Sequence, residues 1–370
     1  MAKERNIGLD SLRAIAIIGV FLCHGLTLNL AGRDLLFGLG SGVELFFVLS
    51  GFLIGRIYFR STQSGSFSFW EFWRSRWWRT LPPYFAAILV YLAVGKVISA
   101  PGLRWYYVCF LQNYIGISGF GPSWSLCVEE HFYLVLPLIG LLIDRLAGRS
   151  KLKFILPIAI FIPLALRTAA LARPLPPQWF WFSHLHCDGL IIGVYLAYLY
   201  VEDRLSFGRI RILAKWLIPV SPITMVIMTL WNPRPMALLL NTLYAVGYGA
   251  WVRYFYDLKW SPVFAAGRLA RKGVQGIALC SYSVYLTHTT FDPAIRGHVL
   301  AGMHRGVGKS FLVLSSTFLL GVGFYFLVER PTILTRDIYL KGRKSSVVDP
   351  RRAVLLSQVP TKGGSWPVVD

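Results

Sequence analysis

Residues 12–31 read LRAIAIIGVFLCHGLTLNLA, twenty positions holding one full charge, Arg13, and one imidazole, His24. As a helix rising 1.5 Å per residue, such a run is about 30 Å long, the thickness of bilayer hydrocarbon. Residues 37–58, FGLGSGVELFFVLSGFLIGRIY, repeat the pattern with only Glu44 and Arg56 charged. Further runs lie between charge clusters at 83–98, 124–143, 154–171, 180–200, 213–231, 236–255, 277–295 and 310–328. The expected fold is therefore all-α, a polytopic transmembrane bundle of about ten helices. The apolar but Gly-rich and aromatic segment 103–122 is expected to be re-entrant or interfacial.

Composition leads to the same class. The 370 residues are 55% hydrophobic and 15% charged, with a formal net charge of +21. A soluble domain carries roughly 25% charged residues, so the excess apolar surface needs a second solvent and a soluble globular enzyme is excluded. Nucleic acid as a partner would need clustered Lys and Arg on otherwise polar surface, whereas here the cations punctuate apolar runs. With the N-terminus inside and the runs alternating, about 28 of the 38 basic residues fall on the cytoplasmic side. Both termini are thus expected in the cytoplasm and anionic membrane lipids are expected partners. The first run is long enough to span and no small-x-small site follows it, so no cleavable signal peptide is expected. Residues 1–335 are expected to form the membrane domain and 336–370 a basic, disordered cytoplasmic tail.

The five cysteines stand singly in apolar stretches with no spacing for a metal cluster, and no metal is expected. Ionisable groups at membrane depth are costly and mark function by default. Arg13 and His24 are eleven residues apart, close to three turns and about 16 Å along one helix face. Asp10, one turn before Arg13, is expected to pair with it near the cytoplasmic surface. Depth along the runs places His24, Glu129, Glu130, Asp188 and His288 in one layer of the outer half. An imidazole with a carboxylate on its second nitrogen is a general-base arrangement, and Glu129 or Glu130 is the expected orienting acid. The same groups could serve as a proton relay in a transporter or flippase. On the cytoplasmic side Arg56, Arg76 and Arg79, interleaved with Trp73, Trp77 and Trp78, suit either anionic lipid or the phosphates of a cofactor.

Seven segments in order resemble the acyltransferase-3 family of integral membrane O-acyltransferases of polysaccharides, lipopolysaccharide and nodulation factors. They are LDSLRAIA at 9–16 with His24, GVELFFVLSGFLI at 42–54, RWWRTLPPY at 76–84, WSLCVEEHFY at 124–133, DGLIIG at 188–193, SYSVYLTH at 281–288 and ERP at 329–331. The resemblance implies transfer of an acyl group, acetyl first, from acyl-CoA to a saccharide hydroxyl by a bacterial inner-membrane protein. It makes His24 the catalytic residue, places the family's Val-Glu-Glu segment on Glu129 and Glu130, and puts its Arg motifs on Arg13, Arg76 and Arg79; these three, joined by Arg56 from the cytoplasmic cluster, are the expected donor-binding cations. Glu44, Tyr133, Ser281, Asp188 and His288 fall in the matched segments as further polar candidates. His131 stands where relatives usually carry Gln. Many relatives add an esterase-like domain, so acceptor selectivity is expected within the membrane domain or in a partner. A small antibiotic or a lipid-linked intermediate is the alternative acceptor, and an acyl-histidine intermediate the alternative route.

Overall fold

The computed structural model describes residues 5–26, 29–30, 33–34, 37–117, 119–170, 177–231, 237–261, 264–304 and 306–346. The helices are α1 (Ile7–Gly25), α2 (Gly42–Gln63), α3 (Phe69–Val97), α4 (Ser123–Leu146) and α5 (Arg149–Ala170, bent after Ala159). They continue as α6 (Asp188–Glu202), α7 (Arg204–Leu217), α8 (Val220–Trp231), α9 (Ala237–Phe255), α10 (Ala265–Ala294), α11 (Val307–Phe324) and α12 (Arg330–Ser346). The only extended pairing among the described residues is a two-residue antiparallel ladder, Asn29–Leu30 with Arg33–Asp34. Side-chain caps start the helices where the sequence offers them: Asn6 accepts from the Leu9 amide at 3.0 Å and Asp203 from the Ser206 amide at 3.0 Å.

Among the described residues, seven stretches are long and apolar enough to cross a membrane: Ile7–Gly25, Gly38–Gln63, Phe69–Val97, Ser123–Leu146, Arg149–Ala170, Arg204–Ile227 and Val307–Tyr339. Their outward faces carry Leu89, Leu138, Ile158 and Phe311, each more than half exposed, an apolar belt that water would not tolerate. The expected span at 180–200 contracts to the 15 residues of α6 because Pro177–Trp181 and Ser183–Leu185 form separate 3₁₀ turns. Segment 103–122 holds only short turns among its described residues, with Gln112 and Asn113 fully buried. The expected tail boundary at 336 falls inside α12, which runs on to Ser346. Thr27, Leu28, Ala31, Leu171, Met236 and residues 347–370, parts of three spans and most of the tail, lie outside the described residues.

Two glycine pairs set the centre of the bundle. Gly51 and Gly55 on α2 face Gly189 and Gly193 on α6, and a Cβ at Gly51 or Gly193 would run into backbone of the opposite helix. Small residues four apart let two apolar helices approach to backbone contact where no hydrophobic effect drives them together. Being buried on nearly every side, α6 is apolar between its two ends; at the C-terminal end Glu202 pairs with Arg149, and at the N-terminus Asp188 is held by Arg167 of α5 through Nη1 to Oδ2 at 2.7 Å and Nη2 to Oδ1 at 2.9 Å. Helix α3 joins an Arg- and Trp-rich half to an apolar half without a break, despite Pro82 and Pro83.

Candidate active site

Two spaces meet between α1, α2, α3, α4 and α10. The inner one is a cavity of about 280 Å³ lined by the charged groups of Arg13, Arg76, Arg79 and Glu129 at one end and by Ser125 and Tyr285 at the other. The second is an open basin of about 1240 Å³ whose lining carries nine Arg or Lys side chains against three carboxylates. Arg13, Leu53, Ile57, Arg79 and Arg336 line both, so the basin leads into the cavity.

Arg76 is held by α4. Its Nη2 donates to Glu129 Oε2 at 3.1 Å and to the Tyr133 hydroxyl at 2.7 Å, and its guanidinium lies 4.3 Å from the Tyr133 ring centroid. Tyr133 is fixed in turn by Ser50 of α2 at 2.6 Å. Glu130, buried, accepts from Thr80 at 3.0 Å. Arg13 and Arg79 make no hydrogen bond or ion pair among the described residues. The expected Asp10–Arg13 pair is not formed: Arg5, just outside α1, holds Asp10 with Nε at 2.9 Å and Nη2 at 2.7 Å and leaves Arg13 to face the cavity. Arg56 is packed against Phe52, Tyr200 and Tyr256, its guanidinium 4.5 Å from the Tyr200 centroid.

At the far end two imidazoles meet. The rings of His24 and His288 are 5.0 Å apart at 70°, and Tyr285 lies 5.7 Å from His288. Ser281, Tyr285 and His288 are spaced i, i+4, i+7 and share a face of α10 leading from the cavity to His24. The Ser281 hydroxyl donates to the Ala278 carbonyl at 3.0 Å. Tyr285 donates to Ser125, which donates on to the Pro122 carbonyl, because a carbonyl can only accept. By the same logic His24 Nδ1 donates to the Val20 carbonyl at 2.8 Å and His288 Nδ1 to the Tyr285 carbonyl at 2.7 Å. Both rings thereby keep the lone pair on Nε2. That of His288 is buried with no partner among the described residues, whereas the His24 side chain is exposed.

The structure thus brings His24 to His288 but puts the carboxylates of the expected layer elsewhere. The Val20 carbonyl occupies the place expected for a carboxylate beside His24, because a helical histidine reaches back to the turn before it. Glu129 and Glu130 serve Arg76 and Thr80; Asp188 serves Arg167 and Thr242, whose hydroxyl donates to it at 2.7 Å. Glu44, in the first turn of α2, pairs with His186 Nε2, which is ringed by Phe47, Trp124 and Phe180. His131 bonds Ser183 at 2.7 Å rather than Glu130. Sequence reasoning passed over Arg167, His186, Thr80 and Arg336. A lone Arg in the apolar run 154–171 was a usable signal for the first; the others needed the fold.

The family model described as "Acyltransferase domain" matches residues 6–329. Curated relatives include a "Putative O-acetyltransferase" of Staphylococcus aureus (strain COL), 29% identical over 226 residues, 55% of this chain and 36% of that protein. The "Putative peptidoglycan O-acetyltransferase YrhL" of Bacillus subtilis is 28% identical over 229 residues, 55% of this chain and 34% of that protein. "O-acetyltransferase OatA" of Staphylococcus aureus is 32% identical over 167 residues, 39% of this chain and 26% of that protein. The matched part of this chain thus corresponds to about a third or less of the length of these relatives. No solved structure matches it significantly. With the match running through every segment that builds the cavity except the helix carrying Arg336, the chain belongs to the acyltransferase-3 family.

Proposed function

We propose that this protein is an integral membrane O-acyltransferase that moves an acyl group, acetyl first, from acyl-CoA to a hydroxyl of a cell-surface saccharide. The observation that carries the reading is the continuity of a cationic basin with a cavity whose Arg13 and Arg79 lack carboxylate partners among the described residues. Guanidiniums in a half-buried mouth are stabilised by a polyanion, and phosphate oxygens match their donor fork. Arg13, Arg76 and Arg79, with Arg56 at the rim, hold the nucleotide end of the donor while its thioester arm follows the α10 face toward His24. No metal takes part in this scheme.

His24 is the base. Its Nε2 lone pair, left bare by the bond from Nδ1 to Val20, accepts the proton of the acceptor hydroxyl as that oxygen bonds to the thioester carbonyl carbon. The C–S bond then breaks and the departing sulfur takes the proton back from the imidazolium. Glu129 acts on the donor side, fixing Arg76 in place. The names of the relatives point to a saccharide acceptor, and the exposure of His24 at the end away from the basin suits an acceptor presented from outside. In this reading the basin faces the cytoplasm of a bacterial inner membrane, both termini lie inside, and α6, α9 and α10 complete ten spans. The test is incubation of membranes with radiolabelled acetyl-CoA and candidate glycans. Wild type is expected to label the glycan and His24→Ala to lose about 10²–10⁴-fold of that rate; full activity in a folded His24→Ala protein removes the assignment.

A further inference from the structure

Helix α12 begins where the family match ends, at residue 329. It leaves α11 through a π-helical turn, Tyr325–Glu329, whose last residue is anchored by the Ser283 hydroxyl at 2.6 Å. A π turn inserts an extra residue and so rotates the face the following helix presents. Tyr339 stacks on Trp78 of α3, centroids 6.2 Å apart at 24°, and the Arg74 guanidinium lies 5.3 Å from the Tyr339 centroid. One turn before Tyr339, Arg336 lines both the basin and the cavity, and among the described residues the other cations lining both are Arg13 and Arg79. Arg336 meets Asp337 through Nε at 2.9 Å and Nη2 at 2.7 Å, leaving its Nη1 side uncommitted, and Asp337 is itself 48% exposed. Exposed pairs of that kind are weak, so the three guanidiniums outnumber Glu329, the buried carboxylate that lines the basin near Arg79 and Arg13.

We propose that Arg336 is a further phosphate ligand for the nucleotide end of the acyl-CoA, the third guanidinium of the shared mouth beside Arg13 and Arg79, delivered there by α12, with Tyr339 as the positioning residue that clasps α12 to α3. The proposal rests on the donor reading above and adds to it a residue lying outside the segment shared with the family. It also makes the donor site incomplete when residues 6–329 are considered alone.

The test uses the full chain in nanodiscs of phosphatidylcholine, so that no anionic headgroup supplies the phosphate, with tritiated CoA as the probe. Arg336→Ala is expected to weaken CoA binding about tenfold, the loss of one charge-assisted hydrogen bond. Arg336→Lys should lose less, and Tyr339→Ala should weaken binding with Arg336 still present. Arg145→Ala, a cation exposed at the end of α4 and outside both spaces, should bind as wild type. Arg336→Gln, which keeps the aliphatic stem, replaces Arg336→Ala should the latter fail to fold. Wild-type affinity in the folded Arg336 variants overturns the proposal while leaving the donor reading intact. Failure of wild type to bind CoA overturns both, which separates the two outcomes.

Discussion

Replacing Asp188 by Asn separates chemistry from architecture. Asp188 sits in a matched family segment and at membrane depth, yet both its oxygens are claimed: Arg167 reaches them at 2.7 and 2.9 Å and the Thr242 hydroxyl adds a bond at 2.7 Å. Arg167 and Asp188 have side-chain exposures of 1% and 0%. Asparagine keeps the shape but offers a single neutral oxygen, so a buried guanidinium is left against uncharged acceptors, the Leu185 carbonyl and Thr242 among them. Removing one partner of a buried pair costs about 3–5 kcal/mol, a large part of the stability of most domains. The double variant Arg167→Met with Asp188→Leu removes both charges and should recover most of that loss. The assay is thermal unfolding of the purified full chain in detergent, beside acyl-transfer turnover per folded molecule. Asp188→Asn should melt several degrees earlier with turnover per folded molecule within a few-fold of wild type. An unchanged melting curve together with abolished turnover would refute this reasoning and return Asp188 to the chemistry.

Arg76→Ala leaves Glu129 without its partner and should raise KM for the donor about 10–100-fold with a smaller change in kcat, measured by acetyl-CoA titration. Lysine at that position restores the charge but cannot hold Glu129 and lie across Tyr133 together, so Arg76→Lys should fall between the two. Gly193→Leu forces α6 off α2 and should abolish recovery of monodisperse protein in size-exclusion chromatography, because its side chain would enter the Val48–Phe52 backbone. Tyr285→Phe removes the donor to Ser125 from a buried chain and should cost about 1 kcal/mol in unfolding free energy, with CoA binding unchanged in the tritium assay.

The helical fold with its candidate spans was legible because an apolar run of about twenty residues has one solution that satisfies its backbone in a bilayer. Where three-dimensional context overrides run length, the sequence misplaces a boundary. Residues 180–200 read as one continuous apolar run, yet Pro177–Trp181 and Ser183–Leu185 form 3₁₀ turns and the helix starts only at Asp188. The cationic half of the site was legible for Arg76 and Arg79, since two arginines three apart must share a helix face. Arg336 was hidden by its setting in a polar, basic stretch that looks like tail. Its role depends on a Trp78–Tyr339 stack between residues 261 positions apart. The partners of His24 were hidden for another reason: spacing along α1 gives depth but not the identity of the neighbouring helix. Independent depth estimates placed five ionisable groups in one layer, and only the contact with His288 brings another of them to His24.

That redistribution bears on how the proton moves. Among the described residues of the bundle, Glu44 serves His186, Glu129 serves Arg76, Glu130 serves Thr80, Asp188 serves Arg167 and Glu329 serves Ser283. A carboxylate relay across the membrane would have to break several of these bonds in sequence, each leaving a buried charge or donor unsatisfied at a cost of about 1–3 kcal/mol or more. A proton cycle confined to His24 breaks none of them. In the proposed reaction the imidazole takes the hydroxyl proton and returns it to the departing sulfur within one site. On that proposal charge appears only transiently at the exposed end of α1, while Arg13, about 16 Å down the same helix, stays with the donor phosphates. One helix would thereby fix the distance between the proposed donor anchor and base, and the thioester arm would have to match it.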